Sequence, residues 1–132
     1  MEKEKRMVGK KLLKQIEKDF SIFKSKVLGI LLFSSLARGD ATKRSDIDVC
    51  LVVGNREVKE VFDMLLESNL TSKYDVKIFE TLPLKLKGEI PENNIEIWAK
   101  DEFELSYYLH KYRKIWEDQK LALRKLGLKI FE

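Results

Sequence analysis

Three aspartates sit in stretches otherwise apolar enough to be strands: Asp46 and Asp48 in "DIDVCLVV" and Asp75 in "KYDVKIFE". Aspartate is depleted in strands and costly to bury, so its presence there asks for a chemical reason. Side chains alternate across a strand, which puts Asp46 and Asp48 on one side, about 7 Å apart, and turns Ile47 and Val49 to the core. Carboxylates converging in water-poor surroundings repel and take up protons unless a cation neutralises them. Hard oxygen donors at this spacing suit Mg²⁺, which keeps waters and substrate phosphates in its shell. If Asp75 comes from a neighbouring strand, the three can hold two ions roughly 4 Å apart, the arrangement that polarises the attacking and leaving oxygens in phosphoryl or nucleotidyl transfer.

The stretch "SSLARGD" before the paired aspartates supplies the complement. A strand that turns into a helix exposes backbone N–H groups and the positive end of the helix dipole, where phosphate oxygens fit. Ser35 adds a hydroxyl donor, Arg38 a phosphate contact, and Gly39 lets the chain turn back toward the next strand. Taken singly, Ser34, Ser35 and Ser45 are ordinary turn or cap residues and Arg38 is a surface charge.

Taken together, "SSLARGDATKRSDIDV" resembles the signature of the DNA polymerase β-like nucleotidyltransferase superfamily: Gly-Ser, an Arg-Gly shortly after, then Ser-Asp-x-Asp on the next strand. It is most similar to the minimal nucleotidyltransferases of bacteria and archaea. Ser35, Arg38, Gly39, Ser45, Asp46 and Asp48 match that pattern, and Asp75 takes the place of the third carboxylate. Ser34 departs from it, standing where the family has its first glycine. A side chain there either crowds the approach of a triphosphate to the backbone or is accommodated at negative φ.

The resemblance implies an α/β fold of the polymerase β-like nucleotidyltransferase type, with a mixed sheet flanked by helices and a long C-terminal helix, built from residues 1–132 as a single domain. It implies transfer of a nucleoside monophosphate, AMP from ATP as the expected case, to an acceptor hydroxyl with release of pyrophosphate. Two Mg²⁺ ions would be held by Asp46, Asp48 and Asp75, while Ser34, Ser35, Arg38, Gly39 and Ser45 would line the nucleotide. A HEPT-type helical protein is the implied partner, as in toxin–antitoxin pairs. The alternative is a nucleotide- or partner-binding module of the same fold with weak or no catalysis.

Around these residues the hydrophobic pattern sets out the elements that position them. Leu12, Leu13, Ile16, Phe20 and Phe23 recur at helical spacing and predict a helix over the first two dozen residues. Val27 to Ser34 reads as a strand covered on both faces, Asp46 to Val53 as a second, and Val58 to Leu66 as a helix. Lys73 to Glu80 is the third predicted strand, Pro83 to Leu86 a short helical turn, Gly88 to Asn94 a loop, and Ile95 to Ala99 a fourth strand. From the N-cap Asp101, a stripe through Phe103, Leu105, Tyr108, Leu109, Tyr112, Ile115, Trp116, Leu123 and Leu126 predicts a long helix ending near Gly127.

A chain of 132 residues, 44% hydrophobic and 36% charged, has the composition of a folded protein with one core. Its 26 basic and 22 acidic residues are mixed along the chain, so the net charge of +4 permits an anionic ligand without requiring one. The single cysteine, Cys50, excludes a disulfide within the chain, and the single histidine, His110, excludes a multi-histidine metal site. The start "MEKEKRMVGKKLLKQ" has no signal-peptide core and no run approaches a membrane span, which predicts a cytoplasmic protein. Tyr107, Tyr108, Tyr112 and Trp116 among Lys111, Arg113 and Lys114 read as core packing beneath a basic solvated face rather than as a nucleic-acid stacking surface. Trp98 reads as a half-buried strand residue rather than the flank of a bound base.

Overall fold

The computed structural model describes residues 9–33, 47–54 and 57–128. Among them, strands β1 (Gly29–Phe33), β2 (Asp48–Val52), β3 (Asp75–Ile78) and β4 (Asn94–Ala99) form one sheet in the order β3-β2-β1-β4. β1 runs antiparallel to β2 and β4, while β2 and β3 are parallel, so the sheet is mixed. The helices are α1 (Lys10–Asp19), α2 (Val58–Ser68), α3 (Leu84–Glu89) and α4 (Glu102–Lys125). A parallel pair needs a crossover, and α2 supplies it between β2 and β3.

Every residue of β1 is buried, because it is a central strand with cover on both faces. On one face Ile30, Leu32, Val49, Leu51 and Ile78 pack with Ile16 and Phe20 from the α1 segment and Val61 and Leu65 of α2. On the other, Leu31, Phe33, Cys50 and Val52 pack with Leu105 and Leu109 of α4 and with Phe79. The alternation expected around Asp48 holds, since Ile47 and Val49 both belong to the first of these cores.

The long helix starts and stops where its sequence says it should. The Asp101 side chain accepts the Glu104 N–H at 3.0 Å, capping the first turn. At the other end Gly127 takes φ 76°, its N–H reaches the Arg124 carbonyl at 3.0 Å, and the Leu128 N–H reaches that of Leu123 at 3.0 Å. These paired bonds are a Schellman motif, whose left-handed residue favours glycine. Tyr108 and Tyr112 are half-buried beside Phe79, at ring separations of 5.9 and 5.3 Å, and Trp116 is buried. Lys111 lies over both tyrosine rings as cover for a core edge, while Arg113 pairs with Glu92 and Glu117. Phe103, Ile115 and Leu126 depart from the expected stripe and are exposed, Phe103 to 85%, and Tyr107, expected in the core packing, is 74% exposed. Beneath Trp116, α3 comes so close that a Cβ on Gly88 would stand 2.2 Å from the Trp116 Cβ.

Several boundaries differ from the sequence reading. α1 ends at Asp19, and a 3₁₀ turn over Ser21–Phe23 bends the chain toward β1 while burying Phe20 and Phe23. β3 stops at Ile78, and Phe79–Thr81 is a 3₁₀ turn, so Glu80 is not a strand residue. The stretch expected as a loop from Gly88 contains the end of α3 and a 3₁₀ turn at Ile90–Glu92, and β4 begins one residue early at Asn94.

Candidate active site

Asp48 opens β2 and Asp75 opens β3, and the parallel register sets them directly opposite each other. Opposite residues of paired strands point to the same face, with backbones about 4.8 Å apart. The two carboxylates therefore share one end and one face of the sheet, the face that carries α4 farther along. The row continues across the sheet through Phe33 to Asn94.

The placement of Asp75 follows from its neighbour. Tyr74 is buried, its ring is 5.3 Å from that of Phe20, and its hydroxyl donates to Asp19 at 2.5 Å. With Tyr74 turned to the α1 face, alternation turns Asp75 to the other, and the Asp75 N–H bonds to the Ile47 carbonyl at 2.9 Å. Asp75 is exposed and borders a hollow of about 420 Å³ lined by Thr71, Ser72, Lys73, Tyr74 and Val76. A wider hollow of about 560 Å³ lies over Glu102, Phe103, Ser106, Tyr107 and His110. It sits on the first turns of α4, where Leu105 packs on Gly29, at the far end of the strands from Asp48.

One site neighbour was missed in the sequence. Lys77 lies on the same side of β3 as Asp75, and its Nζ is 3.2 Å from Asp75 Oδ1, both side chains being about half exposed. The alternation that turned Asp75 outward would have found it, since the residue two positions on must share its face.

Glu80, the other carboxylate of "KYDVKIFE", is engaged elsewhere. Its Oε1 accepts the Val53 N–H at 3.0 Å, and its Oε2 accepts the Gly54 N–H at 2.8 Å and the Tyr108 hydroxyl at 2.8 Å. It ties the far end of β2 to α4. Burial, then the bond to Glu80, pushes the Tyr108 hydroxyl well above the usual tyrosine range, so it stays a donor. Burial and the nearby Glu80 charge likewise push the Cys50 thiol far up, which makes it an inert core residue.

Asp46, Ser34, Ser35, Arg38, Gly39 and Ser45 lie outside the described residues. The residues that flank segment 34–46, Phe33 and Ile47, both stand at the sheet end where Asp48 and Asp75 are paired. Among the described residues no three His, Cys, Asp or Glu side chains cluster, and the paired aspartates are the acidic focus of this end. His110 is exposed, and Trp98 is half-buried with Lys24 Nζ 5.5 Å from its ring centre. No helix among the described residues is long and apolar enough to cross a membrane.

The chain has relatives among known proteins. A protein of Methanocaldococcus jannaschii named "Putative protein adenylyltransferase" is 48% identical over 100 residues, 76% of this chain and 78% of that one. A second protein of the same name and organism is 34% identical over 65% of this chain and 95% of its own length. Among solved structures, a chain from a toxin–antitoxin complex with AMP-PNP superposes with a TM-score of 0.63 at 17% identity, covering 86% of this chain and 94% of that one. A chain from a complex of a tri-AMPylated Shewanella oneidensis HEPN toxin with an MNT antitoxin does so with a TM-score of 0.59 at 14% identity, covering 86% and 91%. At such identities these two superpositions speak to the fold. Residues 14–103 match the polymerase beta nucleotidyltransferase domain, a span that takes in both paired aspartates and all four strands, and the chain belongs to that family.

Proposed function

We propose that this nucleotidyltransferase, working as one domain over residues 1–132, moves AMP from ATP onto a hydroxyl of a protein partner. The observation that carries the reading is the pairing of Asp48 with Asp75 at the sheet end where segment 34–46 leaves and returns. The near relative's name favours adenylylation of protein, and the toxin–antitoxin assemblies among the similar folds favour a HEPT-type helical acceptor. A cytoplasmic setting goes with such an acceptor.

Each residue then has a task. Asp46, Asp48 and Asp75 offer hard oxygen donors of the kind a divalent cation takes, and would hold Mg²⁺, two ions in the full arrangement. When bound, Mg²⁺ neutralises triphosphate charge and polarises phosphoryl oxygens. Ser34, Ser35, Arg38, Gly39 and Ser45 would hold the nucleotide, with Arg38 supplying a charge-assisted phosphate contact. Asp75 comes from a different strand than Asp48 and borders the hollow beside Tyr74, which supports a role for it in orienting the incoming hydroxyl and accepting its proton.

The test is transfer of label from α-labelled ATP with Mg²⁺ to a HEPT-type protein of the source organism, followed by mass analysis for an adenylyl group. Wild type is expected to label the acceptor on a hydroxyl side chain. Asp75→Asn is expected to bind Mg²⁺-ATP within about tenfold of wild type while losing transfer by about a hundredfold or more. An unlabelled acceptor with intact ATP binding would point to the binding-module alternative.

A further inference from the structure

The chain itself brings a cation to one of the paired aspartates. Lys77 Nζ is 3.2 Å from Asp75 Oδ1, on the face that Asp75 shares with Asp48. The register puts Lys77 opposite Cys50, one side-chain row in from the two aspartates. Three facts restrict what so placed an ammonium does. Cys50 is fully buried, so the stem of Lys77 lies beside closed core and its charged end turns toward the open end of the strand. Asp48 and Asp75 bring two like charges to adjacent backbones, a repulsion a nearby cation relieves. The oxygen that Lys77 meets is on a carboxylate that the proposed function assigns to a divalent ion.

We propose that Lys77 is a tethered counter-ion: it neutralises Asp75 when no divalent cation is bound and must give up that oxygen for one to bind. An ammonium and a divalent ion on the same carboxylate repel each other, so an ion that takes Asp75 Oδ1 displaces Lys77 from it. The pair is half exposed, which limits its worth to that of a surface ion pair. Lys77 thereby weakens the site for a bare divalent ion. A metal arriving with its triphosphate brings negative charge that gives the released ammonium a new partner.

This inference rests on the metal reading of Asp48 and Asp75, and the experiment separates the two. Mn²⁺ alone, without nucleotide, is titrated into the full chain and the free ion is followed by its paramagnetic resonance signal. The proteins are wild type, Lys77→Gln, Lys73→Gln and Asp75→Asn, each checked for its fold by circular dichroism. Lys77→Gln is expected to tighten Mn²⁺ by about two- to fivefold, the range an exposed ion pair supplies. Lys73→Gln, which removes an equal charge two residues before Asp75, is expected to do so by a smaller factor. Raising the salt concentration is expected to narrow the difference between wild type and Lys77→Gln, because screening weakens the pair. Wild-type binding that Asp75→Asn weakens but Lys77→Gln leaves unchanged or weaker overturns the counter-ion assignment alone. Equal enhancement by Lys73→Gln reduces Lys77 to general field and also overturns it. Indifference of Mn²⁺ binding to Asp75→Asn removes the metal site, and the inference with it.

Discussion

Replacing Glu80 by glutamine separates the two carboxylates of "KYDVKIFE" by what each does. Glu80 receives three hydrogen bonds, from the Val53 and Gly54 N–H groups at 3.0 and 2.8 Å and from the Tyr108 hydroxyl at 2.8 Å. A glutamine of the same shape has one acceptor oxygen and one NH₂ group in place of two acceptors. Turned one way, its NH₂ faces the Val53 N–H; turned the other, it faces the Gly54 N–H, while the Tyr108 hydroxyl can rotate to accept. In either orientation one part-buried backbone donor is left without its acceptor, at a cost of about 2 kcal/mol. For a domain of this size that lowers the thermal midpoint by about 6–8 °C. Thermal circular dichroism reads this directly, with transfer assayed well below the lowered midpoint. Glu80→Gln is expected to keep transfer within about twofold and to keep its stabilisation by Mg²⁺-ATP, because Glu80 binds the opposite end of β2 from Asp48. Asp75→Asn is expected to show the reverse, an almost unchanged midpoint with transfer lost. If Glu80→Gln keeps its midpoint and loses transfer, the assignment of Glu80 to structure and Asp75 to chemistry is wrong.

Two further outcomes follow from contacts in the fold. Gly88→Ala places a methyl 2.2 Å from the Trp116 Cβ, a stem atom with no room to swing aside, so α3 and α4 must separate. The expected loss in urea unfolding is about 1–3 kcal/mol despite the better helix propensity of alanine, and an unchanged midpoint would contradict the close approach. At high pH, Tyr108 and Cys50 both hold their protons in the folded chain beyond the pH at which the unfolded chain releases them, mainly through burial. Their contribution is therefore complete below the unfolded values, near 10 for tyrosine and 8.5 for cysteine, and is lost as pH rises above them. Urea midpoints are expected to fall above about pH 9, less steeply in Tyr108→Phe, and equal slopes would count against a protonated Tyr108 in the fold.

What could be read from the sequence was what depends on near neighbours. Period-two alternation around Asp48 predicted its orientation correctly, because Ile47 and Val49 can only be satisfied in the core. The end of α4 was legible because Gly127 and Asp101 act within a turn of themselves. The end of β3 was not: Phe79 and Glu80 have strand-like neighbours, yet the chain turns there because Glu80 meets Val53, Gly54 and Tyr108, all more than 25 positions away. Phe103 was misplaced for a related reason. It falls on the apolar period of α4, but the sheet beneath that helix reaches only as far as Leu105 over Gly29. The opposition of Asp48 and Asp75 lay between these cases, since composition showed both strands while only the crossover through α2 sets their register.

The end position of β3 in the sheet gives its charges another consequence. A strand at a sheet's border leaves backbone donors and acceptors that a strand from another molecule can pair with, and short, charged border strands resist this. β3 has four residues, and its two exposed ones are Asp75 and Lys77. The side chains proposed to form the site would thus also keep the sheet from growing by accretion. Selection against edge pairing and selection for the proposed chemistry favour charge at the same positions, so in a lineage that abandoned the chemistry β3 would still be expected to keep charge, though not necessarily of the same sign.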